Sequence, residues 1–377
     1  MDLRNNYSEH IYYQNSLQHG GNLEQEAKRL GVHISSLIDA SASLVPFSLS
    51  SPLHRCLINA LKDLDLKIYP DRSHSALREA IAKHHKVHPS MVLPGNGASE
   101  LITWAGRDAS QNGLSILPSP GFSDYKRALK CWNGKYLYSP LPLKWTSKLP
   151  QLFPLKPSKH VIWVTNPHNP TGQCWSRDSL ELLLKTHSLV ICDEAFLPLV
   201  PNGEKESLIP LVENYSNLIV IRSLTKLFSI AGLRIGYAIS TSKRLQQWQE
   251  LRDPWPLNGL AISIGKMIMT DEKILHNRIN QVHKWINEEG PWLQSNLQNL
   301  KGIIAHPSST NFQLIESSQS LAIFRERLAK KNILLRDCSS FEGLGENWLR
   351  ISLQKKSDNR RIIEAMQQVL KHIFEEC

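Results

Sequence analysis

The sequence predicts an α/β protein: a large domain built on a mostly parallel sheet between helices, followed by a smaller C-terminal α+β domain. Three observations carry that expectation. Short apolar runs at residues 91–93, 114–117, 160–165, 189–192, 218–222 and 234–239 have the length and composition of buried strands. Amphipathic helical patterns at 98–107, 122–130 and 178–186 lie between several of them, and this alternation builds a sheet covered on both faces. After about residue 270 the rhythm changes to one long polar helix, strands at 310–315, 333–336 and 348–353, and helices at 320–330 and 358–374. The expected organisation is an N-terminal arm over 1–45 that packs on the site, a large domain over 46–270 and a small domain over 271–377.

Composition narrows the classes. The 377 residues are 41% hydrophobic and 21% charged, enough to bury a core and incompatible with a disordered or fibrous chain. No run of about 18 apolar residues occurs, and the first residues carry Asp2, Arg4, Glu9 and His10 where a secretory peptide needs an apolar core, so a cytoplasmic protein with no membrane partner is expected. The six cysteines show no pair at metal or redox spacing, so reduced thiols and no metal are expected. The net charge of +10 suits anionic partners. Its densest cluster, Lys355-Lys356 with Arg360-Arg361, reads as the solvated face of a helix rather than a nucleic-acid patch.

In open α/β sheets, ligands bind beyond the carboxyl ends of the strands. After the strand at 91–93 comes Pro94-Gly95-Asn96-Gly97-Ala98-Ser99-Glu100, a small-residue turn into a helix whose free amides can hold a phosphate or merely close a tight loop. After 160–165 comes Asn166-Pro167-His168-Asn169-Pro170-Thr171-Gly172, with two Asn-Pro pairs where a turn needs one. After 189–192 comes Asp193-Glu194-Ala195-Phe196, a carboxylate ending an apolar strand. After 218–222 come Ser223-Leu224-Thr225-Lys226 and then Arg234, a serine, a lysine and an arginine inside an apolar stretch.

Together these segments resemble the fold-type I pyridoxal-phosphate enzymes of the aspartate aminotransferase superfamily. The resemblance implies a seven-stranded sheet in the large domain and pyridoxal 5'-phosphate as cofactor. It implies that Lys226 forms the Schiff base with the cofactor, that Asp193 pairs with the pyridinium nitrogen and that Asn169 contacts the ring hydroxyl. Gly97, Ala98, Ser99, Ser223 and Arg234 would cup the phosphate, Phe122 in Pro120-Gly121-Phe122 would cover the ring, and Tyr69 would be lent by a homodimer partner. The chemistry asks for these residue types. A buried carboxylate keeps the ring nitrogen protonated, and desolvation beside cationic Arg234 favours a neutral Lys226.

The segments His19-Gly20-Gly21-Asn22 and Asp39-Ala40-Ser41-Ala42-Ser43 resemble L-threonine-O-3-phosphate decarboxylases, which make aminopropanol phosphate for cobalamin. Phe196, where many aminotransferases carry a tyrosine, fits the same group. Arg350 matches the arginine that binds an anionic substrate group and Arg336 lies on the preceding strand, so the two can fork onto a phosphate, with His19 as a further donor. The implied reaction is decarboxylation of a phosphorylated amino acid. A histidinol-phosphate aminotransferase and a non-catalytic cofactor-binding regulator stand as alternatives.

Overall fold

The computed structural model describes residues 20–63, 67–146, 150–154 and 156–375. Twelve strands fall into two sheets among these residues: β1 Ile38–Ala40, β2 Val92–Asn96, β3 Ser115–Ser119, β4 Tyr136–Pro140, β5 Val161–Thr165, β6 Leu189–Asp193, β7 Leu218–Ser223, β8 Ile235–Ile239, β9 Ile304–Ala305, β10 Phe312–Glu316, β11 Ile333–Asp337 and β12 Trp348–Ser352. The large sheet has seven strands in the order β2-β8-β7-β6-β5-β3-β4. All its neighbours are parallel except β8, which runs antiparallel to β2 and β7.

The apolar runs become strands because helices cover the sheet on both faces. Every residue of β5, β6 and β8 is buried, and successive residues enter different cores. Val190 and Cys192 pack into one apolar cluster, while Leu189 and Ile191 pack into the other with Tyr125 and Trp163. That alternation fixes the direction of the polar residues ending β6: Asp193 continues the Tyr125 side, and Glu194 turns to the other. β4 escapes the sequence pattern because Tyr136-Leu137-Tyr138-Ser139-Pro140 is a partly exposed edge with no continuous apolar run.

The small sheet has the order β1-β11-β12-β10-β9. β1, within the stretch expected as the N-terminal arm, pairs parallel with β11. The 27-residue helix Glu272–Gln298 joins the two parts, begun by Asp271, whose carboxylate accepts from the backbone N–H of Lys273 and Ile274, each at 3.0 Å. The basic cluster near the C-terminus is only partly a solvated face. Arg360 lies 3.6 Å from the Trp292 ring and pairs with Glu289, tying the helix Lys356–Glu375 to the long helix. Among the described residues no helix is long and apolar enough to cross a membrane, and no group of His, Cys, Asp and Glu could hold a metal ion.

Candidate active site

A cavity of about 540 Å³ lies beyond the carboxyl ends of the central strands. It brings together Ala98, Ser99, Phe122, Asn169, Asp193, Ser223, Lys226, Arg234, Arg336 and Arg350. Each stands at a junction the sheet creates. Asp193 ends β6 and Ser223 ends β7, with Lys226 in the short helix Leu224–Phe228 that follows. Ala98 and Ser99 open the helix Gly97–Asn112 after β2. Arg336 and Arg350 come from the small sheet, as cross-strand partners in the register of β11 and β12. Three candidates are not in this lining: Gly97 lies at the helix start just behind Ala98, Tyr69 is 71% exposed and stacks on Trp255 outside this cavity, and His19 lies outside the described residues. A larger cavity of about 750 Å³, beside the 200–206 segment and the long helix, holds none of these residues.

Asp193 is buried, and burial raises its carboxyl from 3.8 to about 6. Both oxygens have donors: Oδ1 accepts the Ala195 N–H at 3.0 Å, and Oδ2 accepts the Tyr125 hydroxyl at 2.9 Å. Lys226 is pushed down to about 8, first by burial and next by Arg350, with Asp193 opposing and Arg234 adding less. The cation expected to depress it was Arg234; Arg350 outranks it because the small sheet carries that guanidinium into the same cavity. The Lys226 ammonium nitrogen sits 5.2 Å from the centre of the Phe196 ring.

At the opposite end of the cavity the backbone is shaped for close approach. Gly97 has φ +74, and a Cβ there would lie 2.5 Å from Nη2 of Arg234. The Arg234 side chain therefore lies directly over the helix start. The Ser99 hydroxyl donates to Oδ2 of Asp124 at 2.6 Å, so its hydrogen is already committed. Asp124 itself is buried and paired with Arg127.

These residues fit a phosphorylated pyridine. The glycine helix start beneath an arginine can take the phosphate, a buried carboxylate without a full cationic partner can take a ring N–H, and an amine biased toward neutrality lies in the same cavity.

The part of the cavity formed by the small sheet is cationic. Arg350 donates to Oδ1 of Asn169 and to the Ser41 carbonyl, the latter at 3.1 Å, and its guanidinium lies 4.8 Å from the Phe312 ring. Nε of Arg350 is buried without a hydrogen-bond partner among the described residues. Arg336 donates to the Ser340 hydroxyl at 2.7 Å. Gly20 and Gly21 also line the cavity. A Cβ on Gly20 would meet the Ser41 carbonyl oxygen at 2.6 Å, and the Gly21 N–H donates to the Ser41 hydroxyl at 3.2 Å. Reading the sequence alone misses Tyr125, Asp124 and Ser41 as site residues. Tyr125 follows Phe122 by one helical turn, a spacing that could have placed it on the same face.

Comparison with known proteins agrees with this geometry. The model of the family "Aminotransferase class I and II" matches residues 47–366. A threonine-phosphate decarboxylase of Salmonella typhimurium is 29% identical over 367 residues, covering 94% of this chain and 97% of that protein. A histidinol-phosphate aminotransferase of Caldanaerobacter subterraneus is 30% identical over 335 residues, 87% of this chain and 92% of that protein. Among solved structures, the L-threonine-O-3-phosphate decarboxylase of Porphyromonas gingivalis superposes with a TM-score of 0.75 at 24% identity, over 88% of this chain and 98% of that one. The chain belongs to the class I and II aminotransferase family, the fold-type I enzymes that work with pyridoxal phosphate.

Proposed function

We propose that this enzyme decarboxylates L-threonine O-3-phosphate to 1-amino-2-propanol O-2-phosphate, the aminopropanol unit used for cobalamin. The observation that carries the reading is the cationic wall opposite Lys226. Arg336 and Arg350 are partners in the register of β11 and β12 and both line the cavity, so two guanidinium groups can fork onto one phosphate there. The Gly20-Gly21 segment, part of the motif resembling threonine-phosphate decarboxylases, closes on Ser41 at the rim of the same cavity.

When bound, pyridoxal phosphate supplies an electron sink for a bond broken at the substrate Cα. In this reading the Gly97 helix start, the Ser223 hydroxyl and Arg234 hold its phosphate, and Phe122 covers the ring. The hydrogen of Ser99 is engaged with Asp124, which leaves its backbone N–H for the phosphate. Asp193 keeps a proton on the ring nitrogen. Lys226 is the covalent attachment point, and its lowered basicity leaves part of its population neutral and nucleophilic near neutral pH. Arg336 and Arg350 grip the substrate phosphate, with His19 as a further donor. Anchoring that end decides the reaction, since the Cα bond perpendicular to the ring is the one that breaks. With the phosphate held by the arginines, the carboxylate is free to stand perpendicular and leave as CO2. Arginines holding a carboxylate in the plane would direct the break to Cα–H and give transamination.

The active unit in this reading is a homodimer. Tyr69 and Trp255 stack at 4.2 Å, with the Arg72 guanidinium 4.2 Å from the same indole, an aromatic platform outside the cavity of its own chain and suited to reach a neighbour's. Sedimentation at micromolar concentration should give a dimer, and an active monomer would refute this.

The reaction is tested by supplying L-threonine O-3-phosphate without an oxo acid. Sustained CO2 release with formation of the amino alcohol phosphate is expected. Sustained glutamate formation from histidinol phosphate and 2-oxoglutarate, with no CO2 from threonine phosphate, would establish the aminotransferase instead. Borohydride reduction should leave the cofactor adduct on Lys226, and an adduct on another lysine would sink that assignment.

A further inference from the structure

We propose that Tyr125 is a positioning residue of the reaction: held by Thr165, its hydroxyl orients the Asp193 carboxylate and keeps it ionised toward the cofactor ring nitrogen. The geometry is a three-member chain across two strands and a helix. Thr165 ends β5 and is the Cα partner of Asp193 at the end of β6. Tyr125, in the helix Asp124–Lys130, reaches both, with its oxygen 2.7 Å from Thr165 Oγ1 and 2.9 Å from Asp193 Oδ2. A phenol has one hydrogen, and a carboxylate can only accept. Tyr125 therefore donates to Asp193, and the Thr165 hydroxyl donates to Tyr125. Each member directs the next, and the Ala195 N–H holds the second carboxylate oxygen.

The ring is as constrained as the hydroxyl. Tyr125 is 3% exposed, lies 5.0 Å from the Trp163 ring at 31° and meets Phe122 edge-on at 5.6 Å and 85°. One side chain thus buttresses the ring lining the cavity and fixes the acid beneath it. Burial and the neighbouring carboxylate push the phenol well above its ordinary range, so it stays a donor at working pH. The groups facing Asp193 account for its balance. Tyr125, the Ala195 N–H and Lys226 favour the ionised form, while burial and Asp124 oppose it. Among the described residues no full cation is in hydrogen-bond contact with Asp193, so a neutral donor carries unusual weight in keeping the acid charged.

The inference rests on the cofactor reading above, and its test separates the two. In the apoprotein, the carboxyl of Asp193 is titrated by isotope-edited infrared spectroscopy, assigned by its loss in Asp193→Asn. Tyr125→Phe removes one hydrogen bond to a charged group, and the midpoint should rise from about 6 by about one to two pH units. The acidic limb of the pH–rate profile should move upward with it. An unchanged midpoint in the apoprotein overturns the inference whatever the reaction proves to be. Failure to bind pyridoxal phosphate, with the midpoint still shifted, overturns the functional reading and with it the role in the reaction, and leaves only the coupling of Tyr125 to Asp193. Thr165→Val keeps the tyrosine and removes only its orienting donor. It should shift the midpoint in the same direction by less, and no shift there refutes the role of Thr165 even if Tyr125→Phe fails to fold.

Discussion

Asp193 and Glu194 are adjacent acids at the end of one strand, and they meet opposite surroundings. Glu194 is fully buried on the back of the sheet, where it pairs with Arg222 at 2.8 Å and accepts the Ser207 hydroxyl and the Leu208 N–H. Arg222 is shared with Glu204 at 2.7 Å. The charge of Glu194 is answered inside the chain by Arg222, Ser207 and the Leu208 N–H, although burial still raises its carboxyl above the usual range. Asp193, on the cavity side, has two neutral donors and no salt bridge among the described residues, and its carboxyl is raised to about 6. A buried charge left incompletely matched is costly, and the fold tolerates it where an external group completes the match. The contrast separates an acid answered within the chain from one left facing the cavity by a single residue.

Substitutions sharpen that contrast. Asp193→Asn should lower kcat by about 10²–10³-fold with cofactor binding retained, because a neutral amide cannot hold the ring nitrogen protonated. It should also stabilise the apoprotein. A carboxyl raised from 3.8 to about 6 binds protons in the folded state between those values, so stability falls as pH rises through that window and the loss is complete above about 6. Removing the carboxylate returns up to about 3 kcal/mol at neutral pH, read from urea unfolding curves. A variant that is both fully active and no more stable would break the comparison.

Glu194→Gln should do the reverse. It leaves Arg222 with only Glu204 and should cost about 3 kcal/mol of folding stability, while the folded fraction keeps its turnover. A loss of kcat per folded molecule as large as that of Asp193→Asn would make both acids functional. Next in size, Arg336→Ala and Arg350→Ala should each weaken a phosphorylated substrate by about 1.5–3 kcal/mol, read as a rise in KM. The double variant should cost less than the sum if one phosphate is shared. Arg350→Ala should show the larger change in Lys226 basicity, since the charge of Arg350 acts to lower that amine. The smallest effect is expected for Gly20→Ala. Its Cβ would press on the Ser41 carbonyl and should displace the segment at the cavity rim, raising KM severalfold with little change in melting temperature.

The strand-end groups were legible because each sits in a short run that does one thing: an apolar strand, a turn, then a polar residue. Asn169, Asp193, Ser223 and Lys226 all have that form, and the sheet delivers them to one cavity. The small-domain strands were legible as strands, but nothing in 333–336 or 348–353 says that Arg336 and Arg350 oppose each other. That follows from the register of β11 on β12. Tyr125 was invisible for a related reason, since its partners lie 40 and 68 residues away.

The sequence by itself determined the alternation of strands and helices, because that depends on local periodicity, and its motifs at the strand ends resembled a family closely enough to give the class of cofactor and to offer Lys226 and Asp193 as candidates. The tertiary structure decided which charges are answered within the chain and which face the cavity. Desolvation and hydrogen bonding act through space, and two neighbours as alike in sequence as Asp193 and Glu194 are told apart only by the pleat, which turns one toward Tyr125 and the other toward Arg222.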